Sequence, residues 1–419
     1  MMDFDIVVAG AGPSGSALAR TTAQAGLKVL LVEEHRQVGL PLQCSGFVTP
    51  RTLELANVPA DGLVKNEIKG AVVRVPGSRP LTLGGDRVRA LALNRVELDQ
   101  RLSQDAAKAG ATLYEETRLV DIQRVNGHLE LDLWRGPNRK KLSVKTPLLV
   151  GADGWYSTVA KWMGFPRRHA IRCASVDGYL PGLSHELAQV VVGEKLAPGW
   201  FGWLIPLGND QVRIGVGCDP SLHRSSPTDL LPGLFKALDV DFAKFQVESK
   251  VGGFIPIHSN GNGNNGHSRL PYSDNIMLIG DAAGQAKPTS GGGIYPGLVA
   301  AMHASRTALE AHAEGDFSAS RLASYDTAWS RELGAEFERE ADMRHLFLRL
   351  KDADFKRATS LLRIPGAQML IRRYGDIDFQ SPLFFKFGRL LPNFLGLVPS
   401  GLRVMGPWGV LRDRVNKTA

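Results

Sequence analysis

Residues 5–33 read DIVVAGAGPSGSALARTTAQAGLKVLLVE, and this stretch decides the fold. Residues 3–9, DFDIVVA, read as a short apolar strand. Gly10-Ala11-Gly12-Pro13-Ser14-Gly15 is a turn. Ser16 to Gly26 is alanine-rich and helical, with Gly26 as its stop. Lys28 to Val32 is a second buried strand, so the opening is a right-handed βαβ unit. The Gly-x-Gly-x-x-Gly spacing has a mechanical reading. Gly10 permits the tight turn, Gly12 lets the backbone approach a pyrophosphate, and Gly15 lets helix and strand pack closely. The helix N-terminus then offers free N–H groups and partial positive charge to the phosphates. Glu33 closes the second strand, 18 residues after Gly15. There its carboxylate can accept hydrogen bonds from a ribose diol. An acid at this point disfavours a ribose phosphate, so NADP is not expected in this site.

Segments far beyond the βαβ unit separate FAD from NAD. Asn275 to Gly284 reads NIMLIGDAAG: a strand ending in Gly280-Asp281. An aspartate at a strand end, before a glycine-rich turn and a helix, can bond a ribityl chain. Gly291-Gly292-Gly293-Ile294 then leads into a helix whose N-terminus suits the flavin's pyrimidine edge. The helix dipole stabilises the negative charge that gathers on reduced flavin. Arg95, in NRVELDQRL, is a further candidate contact. With Gly10, Gly12 and Gly15, these are the cofactor residues that spacing alone suggests.

The remaining chain divides by pattern. Residues 36–50 read as a loop, Val72–Val75 and Leu81–Leu83 as strands. Asn94 to Gly110 is helical, with Asn94 as cap and Gly110 as stop. Thr112–Tyr114, Arg118–Arg124 and Leu129–Leu133 are expected in a small sheet, and Leu148-Leu149-Val150 as a buried strand before Gly151-Ala152-Asp153-Gly154. Residues 170–257 hold recurrent short strands, predicting a mainly antiparallel sheet with a helix near Asp229–Leu238. Ser259 to Ser268 is an Asn/Gly loop. Beyond Gly315 the chain is expected to be helical, broken at prolines 365, 382, 392, 399 and 407.

The combination resembles the FAD-dependent hydroxylase superfamily, through GAGPSG at 10–15, Glu33, Arg95, Gly151–Gly154 and Gly280–Gly284. Within it the chain resembles the geranylgeranyl reductase family. Two segments carry the narrower match. Gly39 to Phe47 is similar to the family's cysteine-bearing loop, and Phe201-Gly202-Trp203-Leu204-Ile205-Pro206 to its aromatic substrate motif, with Phe for the usual Tyr and Ile for the usual Phe. Gly375-Asp376-Ile377-Asp378-Phe379 looks like the archaeal lipid reductases of that family. The resemblance implies flavin contacts at Ser14, Glu33, Cys44, Ser45, Phe47, Arg95, Leu119, Asp281, Gly293 and Ile294. It also implies a reductase that saturates geranylgeranyl chains of archaeal-type ether phospholipids. Such a reaction needs an apolar slot, and Phe201, Trp203 and Tyr295 are its candidate walls, since aromatic faces pack isoprene units over large area. Cys44 is a candidate to donate or relay a proton, or to shape the pocket.

The expected class is therefore α/β in the first domain and α+β overall. A Rossmann-like FAD-binding domain (1–70, 88–165 and 270–315) carries an inserted antiparallel-sheet substrate domain (71–87 and 166–269). A helical C-terminal region, 316–419, completes the chain. Three cysteines without a CxxC pair, Cys44, Cys173 and Cys218, exclude a disulfide framework and argue for a reducing compartment. The ten histidines show no ligand spacing, so no metal site is expected. No apolar run is long enough to span a bilayer. From Arg344 onward, 14 Lys/Arg stand against 5 Asp/Glu, a net of +9 that exceeds the whole chain's +8. These cations alternate with Phe, Leu and Trp, as suits anionic lipid headgroups; no nucleic-acid motif accompanies them. The expectation is a cytoplasmic protein, peripheral on the inner face of the membrane. Its electron donor is NADPH, ferredoxin or a reduced quinone, because no second nucleotide fingerprint chooses. The alternatives are a flavin monooxygenase of an aromatic or quinone substrate, and a non-catalytic electron relay.

Overall fold

The strands Ile6–Ala9, Val29–Val32 and Leu148–Gly151 are buried along their whole length and run parallel. They lie in a computed structural model that describes residues 2–165, 169–183, 185–257 and 270–390. Their unbroken Val/Leu/Ile runs are what a parallel sheet covered on both faces requires. The chain folds into two compact units. The first comprises Met1–Lys65, Leu93–Ala170 and Gly253–Glu338, the second Asn66–Ala92, Ile171–Gly252 and Arg339–Ala419.

In the first unit a six-stranded sheet runs in the order Tyr272–Ser273, Ile276–Leu278, Leu148–Gly151, Ile6–Ala9, Val29–Val32, Thr112–Tyr114. Register levels the strand ends: Ala9 pairs with Val32 and Gly151, and Gly151 with Leu278. Gly10, Glu33, Ala152 and Ile279 therefore leave the sheet at one edge, the carboxyl edge where open α/β sheets take their ligands. The helix Pro13–Gln24 packs against both Arg95–Lys108 and Ile294–Glu314. A second, four-stranded sheet orders Met2–Asp3, Lys140–Thr146, His128–Arg135 and Thr117–Val125. Leu30, Val7 and Leu149 of the first sheet share a core with Leu129, Leu131 and Leu133 of the second.

Three points of the strand reading differ in the structure. The stretch 3–9 is divided: Asp3 pairs with Lys145 in the four-stranded sheet, and only Ile6–Ala9 enters the parallel one, because the backbone hydrogen bonding switches from the Lys145 carbonyl at Phe4 to the Lys28 carbonyl at Asp5. Thr112–Tyr114 joins the parallel sheet beside Val29–Val32, because the preceding helix Arg95–Lys108 is a crossover that delivers it there. Lys140–Thr146 is a further strand outside the expected set: its sequence KKLSVKT is lysine-rich, and only Leu142 and Val144 mark its inner face.

The second unit is built on a seven-stranded sheet. Its order is Gln246–Pro256, Ala170–Tyr179, Gln211–Cys218, Gly202–Gly208, Leu187–Val191, Gly70–Arg74, Leu81–Gly84. It is mainly antiparallel as expected, with one parallel pair between Leu187–Val191 and Gly70–Arg74. One face buries Val176, Leu204, Ile214 and Val216 against Leu234 and Phe235 of the helix Leu231–Ala237. The helices Asp352–Leu362, Pro365–Tyr374 and Ser381–Leu390 belong to this unit. Pro365 and Pro382 open helices and do not break them, since a proline in the first turn forfeits no hydrogen bond. The Asn/Gly loop and the prolines at 392, 399 and 407 lie outside the described residues.

Candidate functional site

Gly10, Gly12 and Gly15 do three different jobs. Gly10 has φ +100°, and a Cβ there would lie 2.3 Å from the Ala152 carbonyl oxygen. A Cβ on Gly15 would lie 2.0 Å from the Gly10 oxygen, so its hydrogen atom is what lets helix and turn close. Gly12 differs. It has ordinary extended backbone at the N-cap of Pro13–Gln24, and a Cβ there would meet nothing within 4 Å. No protein atom demands a glycine at this position; a ligand backing onto the chain would. The helix above it has no side-chain cap and no acid in its first turn, leaving its N–H groups to an anion.

Glu33 closes the same turn from the other side. Its Oε2 accepts from the Ala11 N–H (3.1 Å), and its Oε1 from the His35 N–H (3.0 Å) and lies 2.6 Å from His35 Nδ1. The acid thus braces the glycine turn as well as facing the carboxyl edge, a second task that its place in the sequence does not reveal. Ser14 packs inward: Cβ atoms on Gly280 and Gly297 would come within 2.9 and 2.4 Å of its Oγ. Gly297 is a requirement visible only once the helices are packed.

The turn Gly280–Ala283 brings Asp281 to the head of the helix Ile294–Glu314. Asp281 Oδ1 would lie 3.0 Å from a Cβ on Gly293, the N-cap. This helix, too, has no side-chain cap and no acid in its first turn. Behind it, a buried network fixes the turn: the Gly280 N–H donates to Gln285 Oε1 (2.7 Å), Gln285 Nε2 donates to Tyr325 Oη (2.8 Å), and Tyr325 Oη–H donates to the Leu278 carbonyl (2.7 Å). Burial drives the Tyr325 phenol far above its ordinary pKa, so it stays a donor. No sequence signal pointed to Gln285 or Tyr325.

Arg95 opens the helix Arg95–Lys108, where Asn94 caps by accepting from the Glu97 N–H. Its Nη1 is 2.6 Å from Asp99 Oδ1, with the two side chains only 11% and 8% exposed. Among the described residues, Arg95 Nε is buried and has no hydrogen-bond partner. Burial pulls the guanidinium's pKa down, but Asp99, Cys44 and Asp281 outweigh it and hold it above the usual value. Burial pushes both Asp99 and Asp281 up to about 6, against the pull of Arg95. Cys44 and Ser45 sit on a loop that docks on this helix start, and Phe47 opens the short strand Phe47–Val48, which pairs beside Ala90–Leu93 where a loop over 36–50 was expected. The Leu93 N–H donates to the Gly46 carbonyl (2.8 Å), and a Cβ on Gly46 would lie 3.4 Å from Arg95 Cβ. Cys44 Sγ accepts from the Gly46 N–H at 3.5 Å. Leu119 is buried beside a bulge in its strand and lies in the core. Asp153 braces the start of the helix Thr158–Trp162, whose N-cap is Ser157, accepting from Ser157 Oγ (2.5 Å) and the Thr158 N–H (2.7 Å).

These residues fit a flavin dinucleotide: two uncapped helix starts, a backbone cleared at Gly12, an acid at the carboxyl edge beside it and an unspent buried N–H. Tyr295 stands at the start of the helix Ile294–Glu314, with Arg51 over its ring at 5.8 Å. Among the described residues no group of His, Cys, Asp and Glu could hold a metal ion.

Phe201 and Trp203 lie in the second unit, on the sheet face opposite the Leu204 core. Their rings meet edge to face at 6.1 Å, and Phe201 stacks on the buried Trp200 at 5.1 Å. Glycines make room for them: Cβ atoms on Gly215 and Gly217 would come within 2.4 Å of Trp203 and 2.2 Å of Trp200. On the same face Arg213 grips Asp177 with two hydrogen bonds, 2.7 and 2.5 Å, both residues buried. That pair was not anticipated, because its partners are 36 residues apart and meet only through strand register.

Comparison with known proteins supplies the chemistry. A family model described as FAD binding domain matches residues 3–335. A digeranylgeranylglycerophospholipid reductase of Methanothrix thermoacetophila is 31% identical over 366 residues, 85% of this chain and 90% of that one. Digeranylgeranylglycerophospholipid reductase 2 of Methanopyrus kandleri is 28% identical over 407 residues, 93% of this chain and 100% of that one. Among solved structures, a geranylgeranyl bacteriochlorophyll reductase-like protein from Thermoplasma acidophilum superposes with a TM-score of 0.83, covering 96% of this chain and 100% of that one at 22% identity. A p-nitrophenol 4-monooxygenase from Pseudomonas putida gives 0.70, over 89% and 98%, at 17% identity. At these identities the two structures speak for the fold, which reductase-like and monooxygenase proteins share.

Proposed function

Because this chain belongs to the FAD-binding-domain family, and within it to the digeranylgeranylglycerophospholipid reductases, we propose that it hydrogenates C=C bonds in geranylgeranyl chains of archaeal-type ether phospholipids. FAD is the cofactor. The observation that carries the reading is the 31% identity with a named reductase over most of both chains. The fold alone is shared with monooxygenases and does not choose the reaction.

Bound FAD supplies a hydride equivalent, and the protein must add a proton, orient the alkene and exclude water. The backbone at Gly12 and the start of Pro13–Gln24 take the pyrophosphate, Glu33 the ribose and Asp281 the ribityl chain. The N–H groups at Gly293 and Ile294 stabilise charge on the reduced ring. Ser14, Ser45, Phe47, Arg95 and Leu119 complete the cradle. Cys44 carries the thiol of its loop and is assigned to hold a proton there or to shape that edge. Phe201 and Trp203 are assigned to packing isoprene units, as is Tyr295. The electron donor in this reading is NADPH, ferredoxin or a reduced quinone.

The reading also places the protein in the cytoplasm, peripheral on the inner face of the membrane. Among the described residues no helix is long and apolar enough to cross a membrane. In support of peripheral binding, the helix Pro365–Tyr374 leaves Met369 63% exposed beside exposed Arg372 and Arg373.

The deciding experiment is mass spectrometry of prenyl lipids incubated with the dithionite-reduced protein. The expected product gains two hydrogens per double bond. Unchanged lipid would refute the reductase reading. A product gaining one oxygen, formed only with NADPH and O2, would move the assignment to a hydroxylase.

A further inference from the structure

One helical turn below Arg95 stands a buried carboxylate that neither the helix nor the core requires. Asp99 and Arg95 are four residues apart and share a face of Arg95–Lys108. The same helix carries another pair at this spacing, Glu97–Arg101, whose side chains are far more exposed. An exposed pair serves helix stability without the desolvation that a buried one suffers. The burial of Arg95 and Asp99 therefore points to a use beyond the helix.

The surroundings define that use. A Cβ on Gly39 would lie 3.4 Å from Asp99 Cβ, and one on Gly46 3.4 Å from Arg95 Cβ. The loop of Cys44 and Ser45 is thus laid along the turn that holds the pair. Arg95 is in the field of both Cys44 and Asp281, which come from opposite ends of the first unit's chain. A guanidinium has five N–H donors in a rigid fork. With Nη1 given to Asp99, the fork's orientation is set, and Nε stays buried without a partner.

We propose that Asp99 is a positioning residue of the FAD site: by gripping Arg95 from one turn below, it holds the guanidinium in the rotamer that keeps Nε available to the cofactor. This rests on the FAD reading above and adds to it a residue that makes no cofactor contact of its own. Ordering a rotamer-rich side chain during binding, and not beforehand during folding, weakens affinity by roughly two- to tenfold. A carboxylate that served only to neutralise Arg95 would act in the opposite sense, since its removal would tighten the hold on an anionic ligand.

The test is FAD affinity of purified apo-protein, followed by quenching of flavin fluorescence, with the melting temperature of each apo variant as a check on folding. Asp99→Ala is expected to weaken FAD binding roughly two- to tenfold. Asp99→Asn, whose amide oxygen still accepts from Nη1, is expected to restore most of that loss. In an Arg95→Ala background, Asp99→Ala is expected to add nothing, because it acts through Arg95. Equal or tighter binding by Asp99→Ala overturns the proposal, as does an Asp99→Asn as weak as Asp99→Ala. Wild-type protein that takes up no FAD would instead overturn the cofactor assignment.

Discussion

Replacing Gly12 by alanine separates what the glycine turn does for the fold from what it does for the cofactor. A Cβ at Gly10 or Gly15 would lie under 2.5 Å from a backbone oxygen, so a methyl there must displace the turn. At Gly10 the backbone adds its own penalty, since φ +100° is scarcely open to an L side chain. Strained backbone of this kind costs about 1–3 kcal/mol, and overpacking about 1–3 kcal/mol more. Gly10→Ala is expected to lose on the order of 2–6 kcal/mol of stability. Gly12→Ala meets none of this. Its φ of −68° and ψ of −178° suit alanine, and its methyl points into open space. Two small effects nearly cancel: a lower entropy of the unfolded chain contributes about 0.4–1 kcal/mol, and a poorer N-cap removes about as much. Apo Gly12→Ala should therefore melt within about 2 °C of wild type. Its FAD affinity should fall by about tenfold or more, about 1.4 kcal/mol, because the methyl occupies the space through which the pyrophosphate approaches. Differential scanning fluorimetry of the apo forms and flavin-fluorescence titration measure the two quantities on the same samples. If Gly12→Ala melts as early as Gly10→Ala, or binds FAD like wild type, this division of labour among the glycines is wrong.

The second unit yields two further expected outcomes. Gly215→Ala places a methyl 2.4 Å from the Trp203 ring and 2.6 Å from Ser175 Cβ; it should depress prenyl-lipid conversion several-fold while leaving FAD affinity, which belongs to the first unit, unchanged, and full conversion would remove Trp203 from the substrate assignment. Combining Met369→Asp with Arg372→Glu and Arg373→Glu should abolish sedimentation with vesicles containing phosphatidylserine at low salt, and undiminished sedimentation would take the helix Pro365–Tyr374 out of the membrane argument.

The dinucleotide half of this protein was legible because its signals are local. A strand, a glycine turn, a helix and an acid occupy 29 consecutive residues, and each obeys short-range rules of backbone geometry. The strand before Gly280-Asp281 and the helix after Gly293 were legible for the same reason, as was Asn94 as a cap. Even Pro365 and Pro382, expected as breaks, were correctly placed at boundaries; only their side of the boundary needed correcting. Where charged residues hid an alternating strand, as in Lys140–Thr146, periodicity failed.

What the linear pattern could not contain is the identity of partners brought together from afar. Gly297 must be glycine because Ser14 packs against it, from nearly three hundred residues away in sequence. Gln285 and Tyr325 lock the Gly280 turn through hydrogen bonds that exist only once the sheet and helices are assembled. Asp99 looks like any helix-surface aspartate until the Cys44 loop covers its turn of the helix. Backbone conformation is set by neighbours in sequence, so βαβ geometry and the nucleotide fingerprint could be read from letters alone. Desolvation and close packing are set by neighbours in space, and only the folded chain decided which charges are buried, which glycines are indispensable and which donor remains unspent.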